Sequence, residues 1–475
     1  MTPEFLIEAL LKEQTEETAP AWHARPSQQT AEGRRETAVG GERITREAAA
    51  PQALVAVVGL GYAGLPSAIA LRRAGFRIVG IDTSPSRLHD IRSGRAELLA
   101  AHRADLQGHL HDEDFTLTES IEAVHAADLV LICAPTTVDR MGRPNPDTLK
   151  RACASVVQHA RAGQTLVLTS TSHVGSTREL LVEPLAERGL RAGQDVFVAF
   201  SAERLDPGVP EHAQLHTPRV VGAVTEACFR HAEELLRHIA QDLHRVSSPQ
   251  AAEMAKLYES TFRAVNIALA FEIADACAIQ GLDPIEVTDA AATKPFGFLA
   301  HYPSAGVGGH GIAADPHYLL APLRERGRPA TIAEEALRTL AARPRHVAMR
   351  AHELLLRSGR HLRDIRVLVV GAAYKPGVAD CSNAPAVEII SRLLAEGVQV
   401  DFHDPLVPVL RVDGEPMFSV DPDPRRDASG LGPEDYELAV VVAIQPGHDY
   451  GWLRRCPQVL DCTYAQHTGG RRYLP

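Results

Sequence analysis

Short apolar, β-branched runs alternate with amphipathic stretches from residue 54 onward. Five such runs lie in the first half of the chain: LVAVVG, FRIVGID, DLVLICAP, QTLVLTST and QDVFVAFS. Segments that are apolar on both faces are typical of strands in a parallel sheet covered by helices. The pattern therefore predicts a doubly wound α/β domain.

A longer helical pattern follows, from Ala251 to Gly281, with no proline and no glycine before its end. Its apolar residues recur at helical spacing, at Met254, Tyr258, Val265, Leu269 and Ile273. The runs IRVLVVGAA, GVQVDFHDP, ELAVVVA and QVLDCTY then predict a second α/β unit. The expected fold is two Rossmann-like doubly wound domains joined by a long central helix, which could also form a dimer interface.

Composition sets the expected domain boundaries. Residues 1–50 are rich in Ala, Glu, Arg, Thr and Gln and poor in large apolar residues after the first dozen, which predicts a disordered extension. The boundaries that follow are 51–247 for the N-terminal domain, 248–345 for the central helical region and 346–475 for the C-terminal domain.

Charge and cysteine usage exclude several classes of function. A formal net charge of −11 argues against nucleic-acid binding as the main role. Seven cysteines without a C-x-x-C pair indicate neither a zinc site nor a disulfide framework, so no metal is expected and a reducing cytoplasm fits. The first residues lack the features of a secretory signal, and the uncharged stretch Leu54–Leu71 contains three glycines and a proline, so we expect no membrane span.

A glycine-rich fingerprint follows the first predicted strand. Gly59, Gly61 and Gly64 form G-x-G-x-x-G between a strand and a helix, and Asp82 ends the next strand. Such glycines let a pyrophosphate approach the helix N-terminus, and the acid binds a ribose diol while repelling a 2′-phosphate. The sequence therefore predicts an NAD site. Arg87 could reach the adenosine side or be a solvated helix residue.

The loop GVGGHGIAADP, from Gly306 to Pro316, has the composition of a substrate site. Its glycines allow the backbone to approach a ligand closely. His310 is a polar group in this loop and Asp315 can accept a proton.

In this context the chain from about Leu54 resembles the UDP-glucose/GDP-mannose dehydrogenase family, and within it the UDP-N-acetylhexosamine dehydrogenases. The matching segments, in order, are GLGYAGLP, APTT, SAERLDPG, AEMAKLYESTFRAVNIALAFEIA, TKPFGF, GVGGHGIAADP, GAAYKPGVAD and HDP. Members use NAD to oxidise the C6 hydroxymethyl of a nucleotide sugar twice, and the aldehyde is captured by a cysteine before the second oxidation. The resemblance implies a nucleotide-sugar substrate and a homodimer or higher oligomer.

The resemblance also assigns roles to residues outside the loop. Thr136 and Thr171 match cofactor contacts, although either could cap a following helix. Glu203 matches an acid that orients water, with an ion pair to Arg204 or another arginine as the alternative.

Further matches concern catalysis and the substrate. Lys256 matches a lysine that stabilises developing oxyanions, working with Asp315 through water, although it could be a solvated helix residue. The chain has only five lysines among 49 basic residues, which favours a function for this one. Lys375 and Gly308 match substrate contacts. His310 belongs to the same pattern, with a hydrogen bond inside the loop as the alternative.

Three positions depart from the family pattern. Gly311 stands where the family has its nucleophilic cysteine, Ser260 where it has an asparagine, and Ser382 where it has an arginine. Because glycine cannot form a thioester, we expect oxidation to stop after two electrons, either yielding the C6 aldehyde or serving as a transient oxidation that enables another change. The alternatives are a complete dehydrogenase in which water attacks the aldehyde, or in which Cys381 reaches the site, and a pseudoenzyme that binds or scaffolds without catalysis.

Overall fold

A computed structural model describes residues 53–96, 98, 100–139, 141–204, 216–422, 430–464 and 471–475. The predicted extension over residues 1–50 lies outside this part of the chain.

The N-terminal half forms one large sheet. Its described strands are β1 (Leu54–Val58), β2 (Arg77–Ile81), β3 (Phe115–Thr118), β4 (Leu129–Ile132), β5 (Thr137–Val138), β6 (Pro144–Asn145), β7 (Thr165–Leu168), β8 (Phe197–Phe200), β9 (Arg219–Ala223) and β10 (Leu243–Val246). Eight of them form a sheet in the order β10-β9-β8-β7-β4-β1-β2-β3, parallel except between β8 and β9, while β5 and β6 form a separate hairpin. All five predicted strands of this half are present.

Helices cover both faces of this sheet. They are α1 (Gly64–Arg73), α2 (Pro85–Arg92), α3 (Ala100–His109), α4 (Asp147–His159), α5 (Glu183–Glu187) and α6 (Glu226–Leu236), with a 3-10 turn at Ile121–Ala126 and a π-helical turn at Arg178–Val182. Two apolar clusters, one on each face, form the core of the domain. The strands are therefore buried on both sides, as their continuous apolar runs predict.

The central region is helical, with α7 (Pro249–Gln280), α8 (Pro284–Ala292), α9 (Asp315–Glu325) and α10 (Thr331–Leu356). The central helix α7 begins two residues before the predicted start, because the Ser248 side chain caps it and Pro249 occupies its first turn. It ends at Gly281, which adopts the left-handed conformation with φ 70°.

The C-terminal half contains β11 (Arg366–Val370), α11 (Pro385–Ala395), β12 (Gln399–His403), β13 (Val409–Val412), β14 (Glu415–Phe418), β15 (Leu438–Val441), β16 (Gln458–Asp461) and β17 (Arg471–Tyr473), with 3-10 turns at Leu362–Asp364, Pro433–Asp435 and Gly451–Arg455. Five strands form a parallel sheet in the order β12-β11-β15-β16-β17, and β13 pairs with β14. The predicted fold class, two doubly wound α/β units flanking a long helix, is confirmed. The exact domain boundaries stay a prediction.

A buried arginine connects the parts of the molecule. Arg343 in α10 is 2% exposed and donates to Asp275 Oδ1 of the central helix at 2.8 Å, to the Tyr464 hydroxyl at 2.8 Å and to the carbonyl of Ser304 at 3.2 Å. It therefore joins two helices, the C-terminal domain and the chain just before Gly306. Of the helices that the structure describes, none is both long and apolar enough to cross a bilayer.

Candidate active site

A cavity of about 630 Å³ opens at the carboxyl ends of β1 and β4, the two neighbouring strands where the strand order of the sheet reverses. Ligands of open α/β sheets bind at this position. The glycine-rich turn lies on one side of the cavity, and Gly311 and Asp315 line another. Cofactor-site and substrate-loop residues predicted from distant segments thus meet in one space.

The geometry of the glycines fits a dinucleotide. Gly59 has φ 92°, and a Cβ there would lie 2.8 Å from the Cys133 carbonyl oxygen, so no side chain is tolerated. A Cβ on Gly64 would meet the backbone of Gly59. A Cβ on Gly61, by contrast, would have no atom within 4 Å. Packing does not require a glycine at Gly61, so the open space beside it suits the pyrophosphate of a cofactor.

Asp82 closes the same turn. Its Oδ2 accepts a hydrogen bond from Leu60 N at 2.9 Å and its Oδ1 accepts one from Ser84 N at 2.9 Å. The side chain stays half-buried at the cavity wall, where it can also receive a ribose hydroxyl. Arg87 donates through Nε to the Leu60 carbonyl at 2.9 Å, so the solvated alternative is wrong for this residue.

Thr136 and Thr171 both line the cavity and contact each other. The Thr136 hydroxyl donates to the Thr171 carbonyl at 2.7 Å. Neither caps a helix, because the next helical segments begin at Asp147 and Arg178. The capping alternative is therefore wrong, and their contact with the cofactor stays a prediction.

Lys256 and Glu203 are brought together by the central helix and the loop after β8. Lys256 Nζ donates to the Glu203 carbonyl at 3.0 Å, so the solvated alternative is wrong. The Glu203 carboxylate, 6% exposed, forms a buried ion pair with Arg219 Nη1 at 2.9 Å and also accepts from Arg204 N. The ion-pair alternative for Glu203 is thus present, with Arg219 as its partner, and Glu203 still lines the cavity.

Asp315 begins α9 and is 4% exposed. Ser260, one turn beyond Lys256 on the central helix, donates to Asp315 Oδ2 at 2.7 Å. Burial raises the pKa of Asp315 above its ordinary value, although Lys256 and the Ser260 hydrogen bond oppose the rise. Burial lowers the pKa of Lys256, an effect that Asp315 opposes and Arg263 strengthens. The site thus holds an acid and a base whose pKa values have moved toward each other.

Gly311 faces this group across open space. A Cβ on Gly311 would lie 3.8 Å from Asp315 Oδ2 and 3.9 Å from Arg263 Nη2, which are ordinary contact distances. A Cβ would therefore fit here without displacing a neighbour. The glycine is not imposed by packing.

Gly308 is glycine for a different reason from the one predicted. A Cβ on it would lie 2.6 Å from Tyr374 Cβ and 2.7 Å from the Asn383 carbonyl oxygen. The neighbouring Gly309 donates to the Ser382 carbonyl at 2.7 Å. Close packing against the C-terminal domain already explains this glycine, and a contact with the sugar stays a prediction.

His310 also links the domains. Its ring stacks on Tyr62 of the glycine-rich turn, with centroids 5.4 Å apart, and its Nε2 lies 3.6 Å from Asp380 Oδ2. The pKa of Asp380 is lowered, because the hydrogen bonds and charge of its neighbours outweigh its burial. His310 lines the cavity and is 38% exposed, so both its predicted role and the loop alternative stay open.

Two remaining candidates, Lys375 and Cys381, are not among the residues that line the cavity. Lys375 is half-buried in the loop that packs against Gly308 and is not among the residues lining the cavity. Cys381 packs against the apolar core of the C-terminal domain, which argues against its replacing the missing thiol. The cavity wall does include Cys133, but burial raises the pKa of that thiol to about 12, so it is a poor nucleophile.

Two arginines of the site were missed from the sequence. Arg263 lies seven residues after Lys256, so a helical projection places Lys256, Ser260 and Arg263 along one face and could have found it. Arg219 could not be found in this way, because its partner Glu203 lies in a separate segment, the loop after β8.

Three consecutive segments match the domains of one family. Residues 53–240 match the NAD binding domain of the UDP-glucose/GDP-mannose dehydrogenase family, residues 250–339 its central domain and residues 368–431 its UDP binding domain. The chain belongs to this family. Its cofactor is therefore NAD, for which the glycine turn and Asp82 are the fitting residues.

Individual relatives agree with this assignment. The chain is 31% identical over 356 residues to a UDP-N-acetyl-D-glucosamine 6-dehydrogenase of Pseudomonas aeruginosa, covering 74% of this chain and 83% of that protein. It is 32% identical to a UDP-N-acetyl-D-mannosamine dehydrogenase of Pyrococcus horikoshii, covering 74% and 84%. Similar solved structures include a UDP-D-ManNAc dehydrogenase from P. horikoshii, with TM-score 0.77, 27% identity and coverage of 89% and 98%. A UDP-glucose dehydrogenase from Pyrobaculum islandicum gives TM-score 0.74, 25% identity and coverage of 90% and 98%.

Proposed function

We propose that this protein oxidises the C6 hydroxymethyl of a UDP-hexose or UDP-N-acetylhexosamine by two electrons and releases the C6 aldehyde. The observation that carries the proposal is the open space at Gly311. Asp315 borders this space, and Ser260 and Lys256 interact with Asp315, yet the space contains no thiol. A site that keeps its charged groups and lacks its nucleophile can perform the first oxidation without the covalent second one.

The residues divide the first step between them. NAD supplies the hydride acceptor. Asp315, ionised, accepts the proton of the C6 hydroxyl, and its raised pKa makes it a stronger base than an exposed carboxylate. Lys256, protonated, donates a hydrogen bond to the oxygen as negative charge develops on it. Ser260 orients Asp315 through their 2.7 Å hydrogen bond.

Stoichiometry tests the proposal. Purified protein is incubated with NAD and a panel of UDP- and GDP-sugars, NADH is counted per sugar, and aldehyde is trapped with a hydrazine. We expect one NADH per sugar and a trapped aldehyde. Two NADH with a uronate would show a complete dehydrogenase in which water attacks the aldehyde. Tight binding of a UDP-sugar without NADH from any substrate would show a pseudoenzyme.

The variant that restores a thiol at residue 311 gives the sharpest test of this proposal. Gly311→Cys adds a Cβ at ordinary contact distance from its neighbours, with Arg263 nearby to stabilise a thiolate. We expect it to raise the yield from one to two NADH per sugar and to produce a uronate. Gly311→Ser fills similar space without a comparable nucleophile and should remain at one. A Gly311→Cys variant that also stops at one NADH would contradict the proposal.

We also propose that the protein is a homodimer through the central helix. On this helix Tyr258 is 66% exposed, Leu269 52% and Ile279 83%. Apolar residues so exposed on one long helix are typical of an interface between subunits. Leu269→Glu should give a monomer in light scattering, whereas the control Ile332→Glu, at a 74% exposed position on α10, should leave the dimer intact. A monomeric unmodified protein would refute this part.

A further inference from the structure

Arg343 of α10 is one of the largest side chains buried in the protein, and its guanidinium is shared among three separate segments. Its Nη1 donates to Asp275 of the central helix, its Nη2 to the Tyr464 hydroxyl and its Nε to the Ser304 carbonyl. The guanidinium carbon also lies 5.0 Å from the ring centroid of Phe271. Each of the three nitrogens therefore contacts a different part of the chain.

Stability alone does not require an arginine at this position. A buried ion pair is weak evidence for stability, because lost hydration offsets the gain from pairing, and an apolar side chain of similar size often replaces it without loss. The partner Asp275 is 53% exposed, so water would solvate it if Arg343 were absent. What an arginine adds is a rigid set of directional hydrogen bonds. The three bonds therefore indicate a role in fixing geometry.

The geometry in question is that of the chain that enters the glycine loop. Ser304 Oγ donates to the Gly306 carbonyl at 2.9 Å. A Cβ on Gly306 would lie 3.0 Å from Pro344 Cγ and 3.1 Å from Pro385 Cγ. Pro344 is the residue after the buried arginine, and Pro385 begins α11. Helix α10 thus holds the start of the loop twice, by a hydrogen bond to Ser304 and by packing against Gly306.

The C-terminal domain holds the loop farther along. Gly309 N donates to the Ser382 carbonyl at 2.7 Å, and Asn383 Nδ2 donates to the Gly309 carbonyl at 2.9 Å. The next residues, His310 and Gly311, line the cavity. A displacement at the start of the loop would therefore move the wall of the cavity, because the residues between are tightly packed.

We propose that Arg343 is a positioning residue. Through the Ser304 carbonyl it sets where the glycine loop lies in the cavity, and through Tyr464 it makes that position depend on the docking of the C-terminal domain. Arg343 is 2% exposed and does not line the cavity, so it acts through the loop. The proposal rests on the proposed function only in that the sugar of a UDP-sugar lies beside this loop.

Calorimetry of single ligands tests this role without turnover. The probes are UDP-N-acetylglucosamine, UDP and NAD. For Arg343→Met, which places an apolar side chain of similar length there, we expect the Kd for UDP-N-acetylglucosamine to rise about 3- to 10-fold. The Kd values for UDP and NAD should change by less than about twofold, because neither ligand carries the sugar. Tyr464→Phe should give a smaller rise with the same selectivity, because it removes one of the three bonds.

Three further variants serve as controls. Arg345→Met makes the same substitution at an exposed position of the same helix and should change none of the affinities. Arg343→Lys keeps the charge with fewer donors and should recover part of the lost affinity. The double variant Arg343→Met/Tyr464→Phe should bind UDP-N-acetylglucosamine as Arg343→Met does, because Tyr464 acts through Arg343.

Three results would overturn the proposal. Equal rises in Kd for UDP-N-acetylglucosamine and UDP would show that Arg343 acts on the C-terminal domain and not on the loop. Unchanged affinities with a lower melting temperature would show a purely structural role. Losses that add in the double variant would show that Tyr464 acts independently of Arg343.

The outcome is separable from that of the proposed function. If the unmodified protein forms two NADH per sugar, or none, the two-electron proposal fails while the affinity series still reports on Arg343. If one NADH forms and Arg343→Met weakens UDP-N-acetylglucosamine and UDP equally, the positioning role is excluded and the proposed function stands.

Discussion

The first strand of each parallel sheet ends in a glycine turn that an aspartate from the next strand closes. Gly59 has φ 92° and Gly371 has φ 90°, and each donates its N–H to the residue before that aspartate. Asp82 then accepts from Leu60 N, and Asp404 accepts from Ala372 N at 2.8 Å. The two domains thus build the same local structure from separate segments of the chain.

The two turns differ in what they leave open. Asp82 is half-buried and faces the cavity, whereas Asp404 is 2% exposed and also binds Ala373 N and Gln445 Nε2. Where the first turn has Gly61 with open space beside it, the second has Ala373, which is 1% exposed. One turn is therefore able to receive a dinucleotide, while the other is filled by the protein. A glycine turn with an acid is a cofactor site only when its surroundings leave room.

The largest expected effect is a loss of stability at the C-terminal glycine turn, which Asp404 closes. Asp404→Ala leaves three buried donors without their acceptor, so we expect the free energy of unfolding to fall by about 3–5 kcal/mol. Asp82→Ala should cost less than about 1 kcal/mol, because water can reach the freed amides. Urea unfolding of the two variants measures the difference. Equal losses of unfolding free energy in the two variants would contradict the difference in burial inferred for the two turns.

Gly61→Ala tests the open turn. The new methyl group has no protein neighbour within 4 Å but occupies the space for the pyrophosphate, so the Kd for NAD should rise about 10- to 100-fold with an unchanged melting temperature. The matched variant Ala373→Gly should lower stability by roughly 0.5–1 kcal/mol and leave NAD binding unchanged. A Gly61→Ala protein that binds NAD normally would place the cofactor elsewhere.

Asp82→Asn gives a smaller effect on the same turn. The amide keeps one acceptor but loses the charge that favours a ribose diol and repels a 2′-phosphate. We expect NAD affinity to fall about 10-fold and the preference for NAD over NADP to shrink. Titration of both cofactors by fluorescence measures this. An unchanged preference would assign the selection to another residue.

A third aspartate, Asp315, can be compared with Asp82 and Asp404. The expected effect there, a shift of a pH profile, is the smallest. It is nearly as buried as Asp404, but among the described residues its carboxylate accepts a hydrogen bond from Ser260 alone, whereas that of Asp404 accepts four. In the proposed first step Asp315 is ionised and Lys256 is protonated, so the pH profile of kcat/KM should have its acidic limb above ordinary carboxylate values and its alkaline limb below ordinary lysine values. Ser260→Ala removes a hydrogen bond that lowers the Asp315 pKa, so the acidic limb should move to higher pH. An unmoved limb would assign it to another group.

Much of the fold could be predicted from the sequence because its signals are local. The buried strands of parallel sheets appear as continuous apolar runs, and the glycine fingerprint lies between a strand and a helix, so both are legible without tertiary information. The central helix was placed to within two residues at its start. The helix begins two residues earlier because Ser248 caps it, and the apolar pattern that predicts the segment does not include this cap.

The parts of the site that could not be predicted depend on pairing between distant segments. Glu203, in the loop after β8, pairs with Arg219 at the start of β9, and Gly308 is required by Tyr374 more than sixty residues away. Periodicity carries no information on such contacts. Arg263 is the exception, because its spacing from Lys256 places both residues on one face of the central helix. The apolar pattern that predicts the helix says nothing about that polar face.

The buried Arg343 bears on how such a protein can be recombined. It holds the Ser304 carbonyl, two residues before the glycine loop, and the hydroxyl of Tyr464 near the C-terminus. Exchanging the C-terminal domain for that of a relative would therefore also change an anchor of the loop that carries Gly311. A chimera would gain the relative's substrate contacts but lose the hydrogen bond between Arg343 and Tyr464, unless the relative also has a tyrosine at that position.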